Sequence, residues 1–122
     1  MSRPEKLPQY VYKIVDEAPP EPFPATFPLS ELDKTDGFVH LSTSWQIPIT
    51  SGLFFNDKSQ IWVIKIHFKK FEADTKWEVP GTDGCPHLYG NFGADDVESV
   101  AKFERKENQT WEEAFKGSTW LE

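Results

Sequence analysis

Ile61-Trp62-Val63-Ile64-Lys65-Ile66-His67-Phe68 decides the class of fold. It is rich in β-branched and aromatic residues and holds neither Gly nor Pro, so it reads as a strand. Upstream the period changes. Trp45, Ile49 and Leu53 recur every four residues, the stripe of a helix. Pro48 is tolerated only in a first turn, so that helix is expected to begin near Ile47 and to end at Asn56-Asp57. Further back, Tyr10-Val11-Tyr12-Lys13-Ile14-Val15 is a second strand, apolar enough to be buried on both faces.

Between these lie Pro19, Pro20, Pro22, Pro24 and Pro28, a density that no helix or central strand survives. An extended surface connection, pinned by Phe23 and Phe27, is the preferred reading over a stiff wall beside a cleft. Ser30 can cap a helical turn through Asp33. Asp36-Gly37 is a turn, and residues 38–42 form a strand with Phe38, His40 and Ser42 on one side. Lys76-Trp77-Glu78-Val79 is a short strand closed by Pro80-Gly81 and a loop through Asp83-Gly84. Residues 97–105 hold a turn and a last strand, with Val100, Ala101 and Phe103 facing the core. Thr110-Trp111-Glu112-Glu113 is a capping box for a short helix to Lys116, stopped by Gly117. Strands separated by one substantial helix and several turns make an α+β fold, a small mixed, mostly antiparallel split sheet with one or two helices. The expected organisation is a flexible tail over residues 1–9, one globular domain over 10–105, and an extension with a short helix over 106–122.

Thirteen basic against twenty acidic residues give a net charge of −7, a field that repels polyanions and disfavours a nucleic-acid partner. Arg3 and Arg105 are the only arginines, too few for a phosphate clamp. Aromatic residues at 15% supply a core despite the negative mean hydropathy. The single cysteine, Cys85, excludes an internal disulfide and fits a reducing compartment. The first eight residues contain no apolar run, and no stretch reaches the length of a membrane span. The expectation is a cytoplasmic or nuclear monomer with no membrane contact.

Two segments carry chemistry: Asp36-Gly37-Phe38-Val39-His40-Leu41-Ser42-Thr43 and Pro86-His87-Leu88-Tyr89-Gly90. Each sets a histidine before a leucine, which suggests one site assembled from two places in the chain. His40, His67, His87, Cys85 and Glu78 lack any paired metal-ligand spacing, so no metal is expected. A Cys85–His87 nucleophile is disfavoured because Pro86 intervenes. No G-x-S-x-G elbow supports Ser42 chemistry, and Ser42 or Thr43 suits a helix cap or a ligand hydrogen bond. Glu78 beside Trp77 has two readings: a carboxylate raised in pKa by desolvation, or an exposed residue with Trp77 turned to the core. His87 and Tyr89 share a side and form a polar–aromatic platform, fit either for a flat ligand or for an internal hydrogen bond. Neither a P-loop nor a Rossmann fingerprint occurs.

Taken in order, Tyr12-Lys13-Ile14, the Asp36 to Thr43 run, Trp77-Glu78 and the Pro86 to Gly90 run resemble the family catalogued as "domain of unknown function 952". The resemblance covers roughly residues 10–105. That family is considered similar in fold to the ADP-ribosyltransferase-like superfamily, which includes NAD-using transferases and tRNA 2′-phosphotransferases. The resemblance implies a split antiparallel sheet with a ligand cleft, and NAD as a cofactor by fold analogy only. By the same analogy His40 contacts the ligand, Tyr89 or Trp77 stacks on it, and Glu78 stabilises positive charge at a ribose carbon, with Glu104 a candidate by position alone. The arginines of the phosphotransferase branch are missing.

Together these readings nominate His40, Glu78 and His87 as catalytic, and Lys13, Ser42, Thr43, Trp77 and Tyr89 as ligand-binding. The expected activity is an ADP-ribosyl or related glycosyl-type transfer. The alternatives are a non-catalytic small-molecule module and a protein-interaction domain using exposed Trp111, Phe115 and Trp120.

Overall fold

A computed structural model describes residues 6–78 and 84–122. Residues 1–5 of the expected tail, Val79, and the expected loop at Pro80 to Asp83 lie outside the described residues. Among the described residues six strands form two small sheets and every strand pairing is antiparallel, so the expected mixed character is corrected. Sheet A orders β1 (Tyr10–Val15), β3 (Gln60–His67) and β6 (Val97–Glu104), with β3 central. Sheet B orders β2 (Val39–His40), β5 (Cys85–Leu88) and β4 (Thr75–Glu78), with β5 central. Three short α-helices complete the described residues: α1 (Glu31–Asp36), α2 (Ile47–Phe54) and α3 (Trp111–Phe115).

β1 and β3 of sheet A are buried on both faces because they carry apolar residues at odd and even positions alike, whereas β6 alternates half-buried and exposed residues. Tyr10, Tyr12 and Ile14 of β1 join Ile61 and Val63 of β3, then Ile47, Trp111 and Phe115 from the helices. Val11, Ile64 and Ile66 point the other way, onto Val39, Leu41, Trp77 and Leu88 of sheet B and onto Phe68, Phe71 and Phe92. Sheet A is thus the middle layer. Sheet B turns one face inward and leaves the other outward.

Trp111 and Phe115 are buried, and Trp120 is half-buried against Tyr12 and Phe103. The reading of these rings as exposed anchors is therefore corrected: a sheet with two apolar faces needs a second cover, and the last residues provide it. Trp111 Nε1 donates to the Phe55 carbonyl at 2.8 Å, which ties α3 to the end of α2. The capping box at Thr110 and Glu113 is formed.

Other details differ from expectation. The strand over residues 38–42 is reduced to Val39–His40, with Ser42 bridged to Tyr12 by Ser42 N→Tyr12 O and Tyr12 N→Ser42 O bonds, both 2.8 Å. This bridge stitches the run after β2 to the edge of sheet A. α2 buries Ile47 and Ser51 and turns Ile49 and Leu53 to solvent, and Trp45, in the 3-10 turn Ser44–Gln46 that precedes it, is exposed as well. Val100 is exposed rather than core. The proline-rich connection does wall a cleft: Pro19, Pro20 and Phe23 face Trp62, Val100 and Lys102 across an open space of about 520 Å³. None of the residues lining that cleft is a nominated site residue. No helix among the described residues is long and apolar enough to cross a membrane.

Candidate functional site

The outward face of sheet B gathers most of the nominated chemistry. Register places His40 of β2 opposite His87 of β5, and His87 opposite Lys76 of β4. Two residues along, strand alternation adds Tyr89 and Glu78 to the same face. The rings of His40 and His87 stand edge to face with centroids 5.3 Å apart. Phe38, just before β2, stacks on His87 at 4.2 Å and lies 5.1 Å from Tyr89. Trp77 faces inward, with its ring edge-on to Phe68, so its expected stacking role is corrected. A residue adjacent to outward-facing Glu78 must point inward.

α1 brings the residue that sequence reasoning overlooked. Ser30 Oγ accepts the Asp33 N–H, and Gly37 closes the helix at φ +81°, a conformation that favours glycine. This short helix lays Asp33 against β1 and β2, with 2% of the residue exposed. Asp33 Oδ2 accepts from Lys13 Nζ at 2.7 Å, while Oδ1 accepts from the His40 N–H at 3.1 Å and lies 2.6 Å from His40 Nδ1. Burial pushes the Asp33 carboxyl up, but the Lys13 ammonium and the bonds from Lys13 and His40 outweigh it and hold the group below the usual carboxylate range. His40 Nε2 stands 3.0 Å from Asp36 Oδ2. Both ring nitrogens therefore face carboxylates, and both contacts are hydrogen bonds only when the ring carries two N–H groups.

Glu78 and His87 form the second half. Glu78 Oε1 accepts from the Tyr89 hydroxyl at 2.8 Å and lies 3.2 Å from His87 Nδ1. The Tyr89 bond, then the His87 bond, overcome the burial penalty and hold Glu78 below its ordinary value, so of its two readings the raised carboxyl gives way to the accessible residue with Trp77 turned to the core. Tyr89 is pushed up by the same bond. Burial, joined by the neighbouring His40, lowers His87 more than Glu78 and Asp36 raise it. Both shifts act the same way, favouring a carboxylate at Glu78 and an uncharged imidazole at His87. The neutral ring donates from Nδ1 to Glu78 and keeps its lone pair on Nε2.

The remaining nominees are supporting groups. Lys13 is buried and spends its ammonium on Asp33 and on the His40 carbonyl at 3.3 Å. Ser42 is buried in the bridge to Tyr12. Thr43 N donates to Gln46 Oε1 at 2.9 Å, and Gln46 Nε2 reaches the Gly84 carbonyl at 2.9 Å. Thr43 Oγ1 is buried with no hydrogen-bond partner among the described residues. Burial raises the Cys85 thiol, which keeps it protonated and poorly nucleophilic. Glu104 pairs with Lys102 on β6 of sheet A. No cluster of three metal-ligating side chains occurs among the described residues. Asp33, Asp36 and Phe38 were missed as site residues. The sequence marks the two acids as helix and turn residues, and only the placement of α1 aims them at His40.

A family model described as a protein of unknown function, DUF952, matches residues 23–100. The chain is similar to the crystal structure of protein CC0527 from Caulobacter crescentus, with 26% identity, a TM-score of 0.70, and 83% of this chain and 91% of that one covered. A double mutant of the same protein gives the same values. Its solution NMR structure matches with 23% identity, a TM-score of 0.65, and 84% and 90% of the two chains covered, a likeness of fold. No curated protein matches.

Proposed function

The chain belongs to the DUF952 family of proteins of unknown function, and we propose that its histidine face is a small-molecule site for glycosyl-type transfer. The observation that carries this reading is Glu78 Oε1 held 2.8 Å from the Tyr89 hydroxyl and 3.2 Å from His87 Nδ1, beside a shelf made by Phe38 and Tyr89. The aromatic shelf suits a flat ring. Glu78 suits positive charge developing at a ribosyl carbon. His87 Nε2, its ring oriented by Glu78, accepts the proton of the attacking hydroxyl or water.

NAD fits the shelf at one end only. A diphosphate requires uncommitted cations, and Lys13 and His40 are each already paired with carboxylates. Only Lys76, set 4.7 Å over the Tyr89 ring, makes no ion pair here among the described residues. The site therefore favours an N-ribosyl compound with a flat neutral or cationic base and no diphosphate.

The test is chromatographic detection of free base from nicotinamide riboside, alongside NMR titration of the histidine ring signals, with NAD as the contrast. The expectation is release from the riboside and little from NAD, with turnover lost in Glu78→Gln. Unmoved ring signals and no free base at millimolar riboside would end the proposal. A non-catalytic module is the second reading, favoured by the double carboxylate hold on His40, which leaves that ring no free nitrogen. Binding without turnover in the unaltered protein selects it.

A further inference from the structure

α2 is apolar on the side where an exposed helix is normally polar. Trp45, Ile49, Leu53 and Phe54 are 56, 56, 70 and 72% exposed, while Ile47 and Ser51 face the core. Ile49 and Leu53 lie four apart on one ridge of α2, and Trp45, in the 3-10 turn Ser44–Gln46 that runs into it, lies four before Ile49. Gly52 is on this exposed side, and a Cβ placed there would meet no heavy atom within 4 Å. The surroundings are equally unusual. From Leu41 to Asn56 there is no charged residue, in a chain that is 27% charged.

We propose that α2 is a self-association surface, on which two copies of the chain pack about a two-fold axis through Ile49. Three observations select a second copy as the occupant. Charge is the first: two chains of net charge −7 repel each other least where each presents none. The uncharged stretch also lacks the lysines and arginines that hold a helix on an anionic membrane, and any charge that would steer an acidic or basic peptide. Symmetry is the second. Antiparallel packing sets Ile49 against its own copy and Trp45 against Leu53 of the other chain, so the ridge is complementary to itself. Gly52 leaves room for the facing backbone. Area is the third. At the exposures above, Trp45, Ile49 and Leu53 offer roughly 300–400 Å² of surface, while Phe54, at the end of α2, projects from the Ile47 side of the helix. A standard interface buries about 800 Å² per partner, of which roughly 450 Å² is apolar. The expected monomer leaves this patch in water.

Sedimentation equilibrium of the full chain, from micromolar to high micromolar, tests the proposal. The unaltered protein is expected at twice the 14.1 kDa chain mass. Ile49→Glu and Leu53→Glu, at exposed positions, are expected to return the single-chain mass with an unchanged circular dichroism spectrum. If either variant loses its helical signal, oxidation of Ile49→Cys decides: covalent dimers linked through residue 49 support the axis, and their absence overturns it. A single-chain mass for the unaltered protein at every concentration overturns the proposal. So does a folded Ile49→Glu chain that stays dimeric.

Discussion

Replacing Asp33 by Asn tests the site and the fold together. The substitution keeps the shape of the side chain and removes its charge. Lys13, itself buried, then loses its counter-ion, and the His40 ring loses a carboxylate on Nδ1. Breaking a buried ion pair from one side costs about 3–5 kcal/mol, because the surviving charge is left unpaired in a poor solvent. For a chain of this size each kcal/mol lowers Tm by roughly 3–6 °C, so a fall of about 10–30 °C is expected. Urea denaturation gives the free energy directly. The double variant Lys13→Met/Asp33→Asn is expected to be more stable than Asp33→Asn alone, since no orphaned ammonium remains. pH supplies an independent readout. The folded carboxyl titrates below its unfolded value, so the stability it contributes is complete above the ordinary carboxylate range, about pH 4, and drains away as pH falls through the folded value. Asp33→Asn should remove that part of the acid limb. A cost below about 1 kcal/mol, with the acid limb unchanged, would refute the claim that this pair is the hub of the site.

Four further outcomes follow from the geometry. The His87 ring should titrate by NMR below the usual histidine value, and Glu78→Gln should move it lower still by removing the acceptor that favours its charged form. Because this folded value is depressed, His87 stability is complete above about pH 6.5 and falls as pH drops toward the folded value, and His87→Gln should flatten that slope. Trp111→Ala should cost about 3–5 kcal/mol in urea denaturation, with a further penalty of about 1 kcal/mol or more for the stranded Phe55 carbonyl. Gly93→Ala would place a methyl 1.6 Å from the Ala25 carbonyl oxygen and should cost about 1–3 kcal/mol, with faster proteolysis of the proline-rich connection.

Local pattern predicted the strands well where one residue type dominates. β1 and β3 are runs of β-branched and aromatic residues, and both form where expected, buried on two faces. The Ser30 and Thr110 caps were legible because the capping side chain and its target lie within one turn. Long-range placement was not legible. Nothing in the order of residues says that α1 lies across β1 and β2, so Asp33 read as a helix residue and not as the partner of Lys13 and His40. The Trp45, Ile49 and Leu53 period was read correctly as helical, yet periodicity cannot tell which cover a stripe meets, and here Ile47 and Ser51 face inward. The closing aromatics looked like spare surface because the second face of sheet A is visible only once its strands are assembled.

Sheet A also has a history written into its order. β1 pairs with β3, and Tyr10 lies opposite His67, so the first strand is made long before its partner. On the ribosome roughly fifty residues must follow Val15 before Trp62 can reach it, which takes several seconds at about 5–20 residues per second. Through that interval Tyr-Val-Tyr-Lys-Ile-Val is a nascent apolar segment with no edge to join, and it is the segment that a chaperone would be called on to shield.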